Sequence, residues 1–192
     1  ICEHAALIGY PFVNEPSDLH ALQEFMERQA SKIPAIVLKI ETPEAVNNLP
    51  GLLFQGMSRK VFGVMIARGD LAVEIGFERM GEVQEQILWI CEASHTPVVW
   101  ATQVLETLHK SGIATRSEIT DAAHAATAEC VMINKGDHTI EVIETLQDIL
   151  HRTGGHHIKK RFTFRPLSIA KKFMSEDASF TQYIPQSEKN VR

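Results

Sequence analysis

The sequence predicts an α/β domain built from parallel β/α units, and three features of the chain lead to this expectation. Short apolar segments alternate with segments of helical periodicity at intervals of roughly thirty residues, the length of a β/α unit. The apolar segments carry few polar residues, which is typical of strands that are buried on both faces of a parallel sheet. Charged or hydroxyl side chains follow three of these segments, at the edge where parallel α/β folds bind ligands.

Five strands are expected where apolar runs are bounded by turn residues. The first lies within residues 5–13 and is expected to end near Tyr10, because Pro11 cannot donate a hydrogen bond to a neighbouring strand. The remaining four strands are expected at residues 36–41, 61–67, 97–101 and 130–133.

Helices are expected between the strands, and their starts are marked by capping residues. Ser17 and Ser117 are the expected N-caps of helices that reach residues 28 and 128. Thr42 and Pro43 are expected to cap and to begin a short helix that Pro50 stops. Helical periodicity also predicts helices at residues 78–93 and 139–151, with a loop through residues 111–112.

Chain length limits the architectures that fit this order of elements. A closed (β/α)8 barrel takes about 250 residues, so five units in about 150 residues are too few to close one. An open doubly wound sheet and part of a (β/α)8 barrel both fit. We expect residues 1–153 to form the β/α domain and residues 154–192 to form a basic and polar C-terminal tail. The first residue is Ile1, which suggests a piece of a longer protein.

Composition limits the classes of protein that fit this chain and the cellular compartments in which it is expected. Charged residues make up 22% of the chain and the net charge is -5, so the composition carries no nucleic-acid signature. Cys2, Cys91 and Cys130 lack the spacing of a metal site, and we expect reduced thiols, two of them in the core. No apolar run approaches the ~18 residues of a membrane span and no signal peptide is visible. We therefore expect a cytoplasmic protein without a membrane partner, and we favour a solvated basic tail over a tail that binds RNA.

The strand ends carry a possible metal site. Lys39 and Glu41 are two residues apart on one strand, so they share a face of the sheet, and Asp70 follows the next strand. Glu41 and Asp70 are candidate ligands of Mg²⁺ or Mn²⁺, since Mg²⁺ is commonly held by one or two carboxylates plus water and substrate oxygens. Lys39 would then hold a phosphoryl or enolate oxygen. A structural salt bridge among the three residues is the alternative.

Gly69 and Thr102 also lie at strand ends. Gly69 lets a ligand approach the backbone, where free N–H groups favour a carboxylate or phosphate, although a plain strand-to-helix turn is the alternative. Thr102 offers a hydroxyl to a substrate, or is simply a β-branched strand residue.

Four segments of the chain resemble signatures of the pyruvate kinase family. They read KIETPEAVNNL at residues 39–49, GVMIARGDLAVE at 63–74, PVVWATQVLETL at 97–108 and ATRSEITDAAHA at 114–125. They occur in the family's order and spacing, within a resemblance that covers about residues 5–150. The resemblance implies strands four to eight of a TIM (β/α)8 barrel of pyruvate kinase type.

The resemblance also implies a glycolytic phosphotransferase that converts phosphoenolpyruvate and ADP to pyruvate and ATP with Mg²⁺ or Mn²⁺. By this likeness Lys39 stabilises the transferring phosphoryl group, and Glu41 and Asp70 hold the metal. The backbone of Ala67, Gly69 and Asp70 meets the substrate carboxylate, and Thr102 lines the face where the enolate is protonated. K⁺ is a possible second cofactor whose usual site lies outside this chain, and a homo-oligomer is possible.

The chain departs from the family pattern at three places. Pro11 and Asn14 replace a Ser and an Arg, and Ala72 replaces a Gly. Residues 131–137 read VMINKGD where the family has I-M-L-S-G-E-T-A, a segment that bears on phosphate or nucleotide contacts. Two alternatives therefore stay open: a lyase that uses the same metal-enolate site on phosphoenolpyruvate or pyruvate, and a catalytically inactive binding module.

Overall fold

A five-stranded parallel sheet organises the computed structural model, which describes residues 4–29, 33–58 and 61–157. The spatial order β1-β2-β3-β4-β5 follows the chain, and each strand pairs in parallel with the next. The strands are β1 Leu7–Tyr10, β2 Ala35–Ile40, β3 Phe62–Ala67, β4 Val98–Ala101 and β5 Cys130–Val131. The predicted α/β class with a parallel sheet is confirmed.

Eight helices accompany these strands in the described part of the chain. They are α1 Pro16–Gln29, α2 Pro43–Asn47, α3 Leu49–Met57, α4 Arg68–Ile75, α5 Phe77–Ala93, α6 Glu106–Ser111, α7 Arg116–His124 and α8 Thr139–His157. A single 3₁₀ turn, Ala125–Thr127, follows α7.

Pro50 does not stop a helix, contrary to the sequence prediction. It lies in the first turn of α3, where a proline loses no hydrogen bond because the first amides of a helix have no partner within it. The expected loop before Gly112 is likewise the helix α6, which ends with Gly112 in the left-handed conformation at φ 74°.

Two helix caps also differ from the prediction. Thr115, and not Ser117, caps α7: its hydroxyl accepts from the Glu118 amide, and the Glu118 carboxylate accepts from the Thr115 amide. Ser17 lies within α1, and the Asp18 carboxylate accepts from the two amides that precede this helix. The Thr42 cap and Pro43 start of α2 are confirmed, since the Thr42 hydroxyl accepts from the Ala45 amide.

The three middle strands are buried on both faces, as a parallel sheet requires. β1 differs, because its residues alternate between exposed and half-buried and Leu7 is 57% exposed. Within the described residues neither β1 nor β5 has a strand on its outer side. The main apolar core lies between the sheet and the helices, and its largest fully buried members include Trp100, Leu38, Ile40, Ile66, Leu19 and Leu49.

The two cysteines of the described chain are both free, but only Cys91 belongs to the core. Cys130 lies on β5 and is exposed, so it is not one of the two expected core thiols. The last helix continues to His157, six residues past its predicted end. Cys2 and residues 158–192 of the predicted tail lie outside the described residues. Among the described helices, none combines the length and the apolar character that crossing a membrane requires.

Candidate active site

The sheet register aligns the carboxyl ends of β2, β3 and β4. Lys39 lies opposite Met65, and Ala67 lies opposite Ala101, so the residues that follow these strands lie at one edge of the sheet. Each predicted site residue belongs to this edge. Lys39 and Glu41 come from β2, residues 67–70 from β3 and the first turn of α4, and Thr102 from the end of β4.

Lys39 and Glu41 form an ion pair at the end of β2. The Lys39 Nζ lies 2.5 Å from Glu41 Oε1, with the Glu41 side chain fully buried and the Lys39 side chain 31% exposed. The other carboxylate oxygen, Glu41 Oε2, accepts a hydrogen bond of 2.8 Å from the Phe12 amide. Phe12 has a φ of 50°, in the left-handed region that non-glycine residues seldom adopt. The turn after β1 therefore adopts an unusual conformation in which its amide meets this carboxylate.

Glu41 has the donor chemistry of a metal ligand. Its Oε1 is buried and accepts no well-directed hydrogen bond, although the Lys39 ammonium contacts it. A buried carboxylate oxygen with unused lone pairs is costly in a protein interior, and a divalent cation that shares it would offset that cost. Glu41 thus fits the predicted role in metal binding.

Asp70 lies in the first turn of α4 and is exposed. No ion pair or side-chain hydrogen bond joins it to Lys39 or Glu41 in the described structure, so the alternative of a three-residue salt bridge is realised only as the Lys39–Glu41 pair. The described residues hold no group of three or more His, Cys, Asp or Glu side chains placed for a metal. Two carboxylates completed by water and substrate oxygens remain a common arrangement for Mg²⁺.

Gly69 and Thr102 contact each other. The Gly69 amide donates to Thr102 Oγ1 at 3.0 Å, and that hydroxyl donates to the Ala101 carbonyl at 2.6 Å. The residue before α4, Ala67, offers no side-chain cap, so Thr102 caps this helix from the neighbouring strand. A Cβ at position 69 would lie 3.3 Å from Thr102 Cγ2, which makes glycine the residue that permits this close approach.

The turn after β4 is strained, which sequence reasoning did not anticipate. Thr102, Gln103 and Leu105 have φ values of 66°, 56° and 49°. Left-handed backbone in non-glycine residues costs on the order of 1–3 kcal/mol each, and it is least favourable for a β-branched residue such as threonine. No glycine or asparagine in residues 101–106 signals this turn in the sequence.

Arg68 is the functional candidate that sequence reasoning missed. Its Nε donates to the Ala101 carbonyl at 2.9 Å, and its Nη2 donates to the Thr102 carbonyl at 2.6 Å. The guanidinium also forms a bidentate ion pair with Asp121 on α7, in which Nη2 lies 2.9 Å from Oδ2. It lies 4.4 Å from the centroid of the Trp100 ring, within the range of a cation–π contact.

His124 extends this cluster towards α5. Its ring packs edge-on against Trp100 with centroids 5.2 Å apart, and its Nε2 contacts the Glu85 carboxylate. The hydrogen bond to Glu85 raises the pKa of His124 above its usual value, against the opposing effect of burial. The imidazole therefore holds its proton to a higher pH in the folded protein.

The divergent segment 131–137 is anchored by a buried histidine. His109 on α6 bonds through Nε2 to the Thr139 hydroxyl at 2.8 Å, and this hydroxyl donates to the Gly136 carbonyl at 3.0 Å. A Cβ at Gly136 would lie only 2.6 Å from the His109 ring. The segment is therefore packed tightly against α6 where it differs from the family pattern.

A cavity of about 400 Å³ lies away from this edge, at the amino ends of β2 and β3. Its lining includes Pro34, Ile36 and Phe62, and none of the predicted site residues contributes to it.

Fold and site together define a parallel β/α domain that gathers an acid–base pair, a capped helix start and a hydroxyl at the carboxyl ends of its strands. The family model described as "Pyruvate kinase, barrel domain" matches residues 2–143. The chain belongs to the pyruvate kinase family, as its motifs predicted.

Individual relatives agree with this assignment. The chain is 32% identical over 152 residues to a pyruvate kinase of Bacillus licheniformis. The aligned region covers 76% of this chain and 25% of the relative. It is 33% identical over 147 residues to a pyruvate kinase of Thermotoga maritima, covering 72% of this chain and 30% of the relative. The crystal structure of a pyruvate kinase from Cryptosporidium parvum superimposes with a TM-score of 0.73 at 29% identity, covering 81% of this chain and 33% of that one. The chain thus spans about a quarter to a third of the length of these relatives.

Proposed function

We propose that this chain supplies strands four to eight of a pyruvate-kinase-type barrel in a protein that transfers a phosphoryl group from phosphoenolpyruvate to ADP. The observation that carries the proposal is the pairing of Lys39 with the buried Glu41 at the same sheet edge as the Gly69–Thr102 contact. These residues match the family's lysine, metal carboxylate, carboxylate-binding turn and threonine. The proposal is supported by relatives that are themselves pyruvate kinases.

The partial barrel explains the two outer strands. β1 and β5 each use only one edge for pairing within the described residues, and Leu7 on β1 is largely exposed. Strand edges that lack a partner are a liability in a folded protein, and barrel closure removes them. Three further strands between β5 and β1 would complete the eight-stranded barrel.

Lys39 is proposed to stabilise the phosphoryl group in flight. The P–O bond of phosphoenolpyruvate breaks, an oxygen of the ADP β-phosphate bonds to phosphorus, and the enolate carbon that remains takes up a proton to give pyruvate. Phosphoryl transfer depends on positioning and on charge stabilisation, and the partly exposed Lys39 ammonium can reach a ligand at the strand ends. A Mg²⁺ or Mn²⁺ ion held by Glu41 and Asp70 would neutralise charge on the substrate oxygens.

The start of α4 is proposed to hold the substrate carboxylate. The backbone of Ala67, Gly69 and Asp70 lies at the positive end of an eight-residue helix, where anions are stabilised. The Gly69 amide already donates to Thr102 Oγ1, so a carboxylate that binds there shares or replaces this bond. Thr102 would then lie beside the substrate, on the face where the enolate carbon is protonated.

The remaining properties follow the family. We propose ADP and ATP as partners, K⁺ as a second cofactor bound outside this chain, a cytoplasmic location and a homo-oligomeric assembly. Nucleic acid is not an expected partner, because the net charge of the chain is -5.

A coupled assay for pyruvate, with phosphoenolpyruvate, ADP and Mg²⁺, tests the proposal on the full-length parent protein. Lys39→Met is expected to reduce kcat by at least about a hundredfold, the usual effect of removing a charge that stabilises a transition state. Lys110→Met on α6 is the matched control, because Lys110 is exposed and pairs only with Glu106 in the described structure. Equal activity in wild type and Lys39→Met would overturn the assignment of Lys39.

A phosphoenolpyruvate-binding protein without ADP phosphorylation, either a lyase or an inactive binding module, is the second candidate. It is favoured by the VMINKGD segment, which lacks the family residues and is packed against His109. In this case the full-length protein would bind phosphoenolpyruvate with Mg²⁺ and make no ATP. Release of pyruvate by carbon–carbon cleavage of a larger 2-oxo acid, without ADP, would then distinguish the lyase from the binding module.

A further inference from the structure

We propose that Arg68 is a positioning residue that holds the strained Thr102–Gln103 turn and thereby sets the place of the Thr102 hydroxyl at the Gly69 amide. The inference rests on the proposed function for its effect on turnover, but its structural part is independent of that function.

The first step of the argument is that the turn needs an external support. Thr102 and Gln103 both have left-handed backbone, and neither is a glycine or asparagine. Such conformations persist only where surrounding contacts over-determine them, and they concentrate at functional sites.

Arg68 supplies that support from both sides of Thr102. Its Nε binds the carbonyl that precedes the Thr102 amide, at 2.9 Å, and its Nη2 binds the Thr102 carbonyl itself, at 2.6 Å. Fixing the two peptide groups that flank one Cα fixes the φ and ψ angles of that residue. The planar guanidinium can do this because its donors form a rigid fork, which the ammonium of a lysine cannot imitate.

Asp121 and Trp100 hold the guanidinium in place. The Asp121 carboxylate receives it in a bidentate pair from α7, and the Trp100 ring lies 4.4 Å from it. The Arg68 side chain is only 13% exposed, so little water competes for these contacts. A bidentate carboxylate pair adds geometric specificity as well as attraction.

The outcome of this arrangement is the position of one hydroxyl. Thr102 Oγ1 donates to the same Ala101 carbonyl that Arg68 binds, and it accepts from the Gly69 amide at 3.0 Å. If the turn relaxes, the hydroxyl leaves both the start of α4 and the proposed substrate position. Arg68 therefore acts on the reaction through Thr102 and does not itself touch the reacting atoms.

The test uses Arg68→Lys in the full-length protein, with Arg79→Lys as the control on an exposed arginine of α5. Arg68→Lys is expected to lower kcat by about tenfold to a hundredfold, the range that a displacement of about 1 Å produces, and to change the KM for phosphoenolpyruvate by less than about threefold. In a protein that already carries Thr102→Val, Arg68→Lys is expected to lower kcat by less than about twofold. Losses that multiply in the double variant would overturn the proposal, because a merely structural arginine acts independently of Thr102.

A second readout needs no activity. The Gly69 amide lies in the first turn of α4, where it has no partner within the helix, so its hydrogen exchange reports the bond to Thr102 Oγ1. Arg68→Lys and Thr102→Val are both expected to speed exchange at Gly69 by about tenfold or more, and Arg79→Lys is expected to leave it unchanged. Unchanged exchange in Arg68→Lys would refute the positioning role. Accelerated exchange in a protein without phosphoenolpyruvate turnover would refute only the proposed function.

Discussion

Glu41→Gln distinguishes a metal ligand from a structural ion pair. A metal ligand predicts a small loss of stability and a large loss of cation affinity, whereas a structural pair predicts a large loss of stability and no change in cation affinity. The substitution keeps the shape of the side chain and leaves an amide oxygen that can accept from the Phe12 amide. Its partner Lys39 is 31% exposed and can turn to water, so the free energy of unfolding is expected to fall by about 1 kcal/mol. A fully buried pair broken on one side would lose about 3–5 kcal/mol instead.

Cation binding is expected to respond far more strongly. A carboxylate about 4 Å from a divalent cation is worth about 8 kcal/mol at an effective dielectric constant of about 20, twice the energy of a unit charge pair. If half of this is offset by lost hydration, about 4 kcal/mol remains, which corresponds to roughly a thousandfold weaker binding. Titration of the full-length protein with Mn²⁺, followed by paramagnetic resonance of the free ion, measures this change. Glu44→Gln is the control, since Glu44 lies three residues away and is exposed on α2.

Unchanged Mn²⁺ affinity in Glu41→Gln would refute the metal assignment. A loss of more than about 3 kcal/mol in stability, without a change in affinity, would show that the carboxylate serves the fold alone.

Three further predictions concern the packing around the site. Gly136→Ala places a methyl group 2.6 Å from the His109 ring and 2.7 Å from the His109 backbone carbonyl oxygen. Urea unfolding is therefore expected to show that the free energy of unfolding falls by about 1–3 kcal/mol. A fall of less than about 0.5 kcal/mol would contradict the tight packing. Because Glu85 raises the pKa of His124, this pair's stabilisation is present in full below the unfolded pKa of about 6.5 and is lost as pH rises through the folded pKa. The stability difference between wild type and Glu85→Gln should therefore be largest below about pH 6.5 and shrink as the pH rises above it, and a constant difference would refute the link. Burial raises the pKa of Cys91 to about 12, so iodoacetamide is expected to alkylate this thiol only after denaturation. Mass spectrometry detects the alkylated cysteine. Alkylation of Cys91 in the native protein would contradict its burial.

The strands and the Lys39–Glu41 pair were predictable from sequence because both depend on local patterns. Apolar runs bounded by turn residues located four of the five strands within two residues of their observed ends, and the expected end of the first strand near Tyr10 is confirmed. The two-residue spacing of Lys39 and Glu41 placed their side chains on one face of the sheet, and they are in contact there.

The missed features depend on contacts between distant residues or on signals that have two meanings. A proline can follow a helix or begin one, so Pro50 was assigned to the wrong end. Ser117 and Thr115 are both good caps, and only the reciprocal bond of Glu118 distinguishes them. Arg68 and Asp121 are 53 residues apart in the chain, and no local sequence pattern predicts the left-handed backbone conformation of Thr102.

The pairing of Lys39 with Glu41 has a consequence for the order in which ligands arrive. While the ammonium is neutralised by the carboxylate, a free phosphate meets a site with no net positive charge and gains little by entering. A divalent cation held by Glu41 would compete with Lys39 for the carboxylate, and an incoming anion would then meet two positive charges. We therefore expect an ordered kinetic scheme at this edge of the sheet, in which phosphoenolpyruvate binds measurably only after, or together with, its cation.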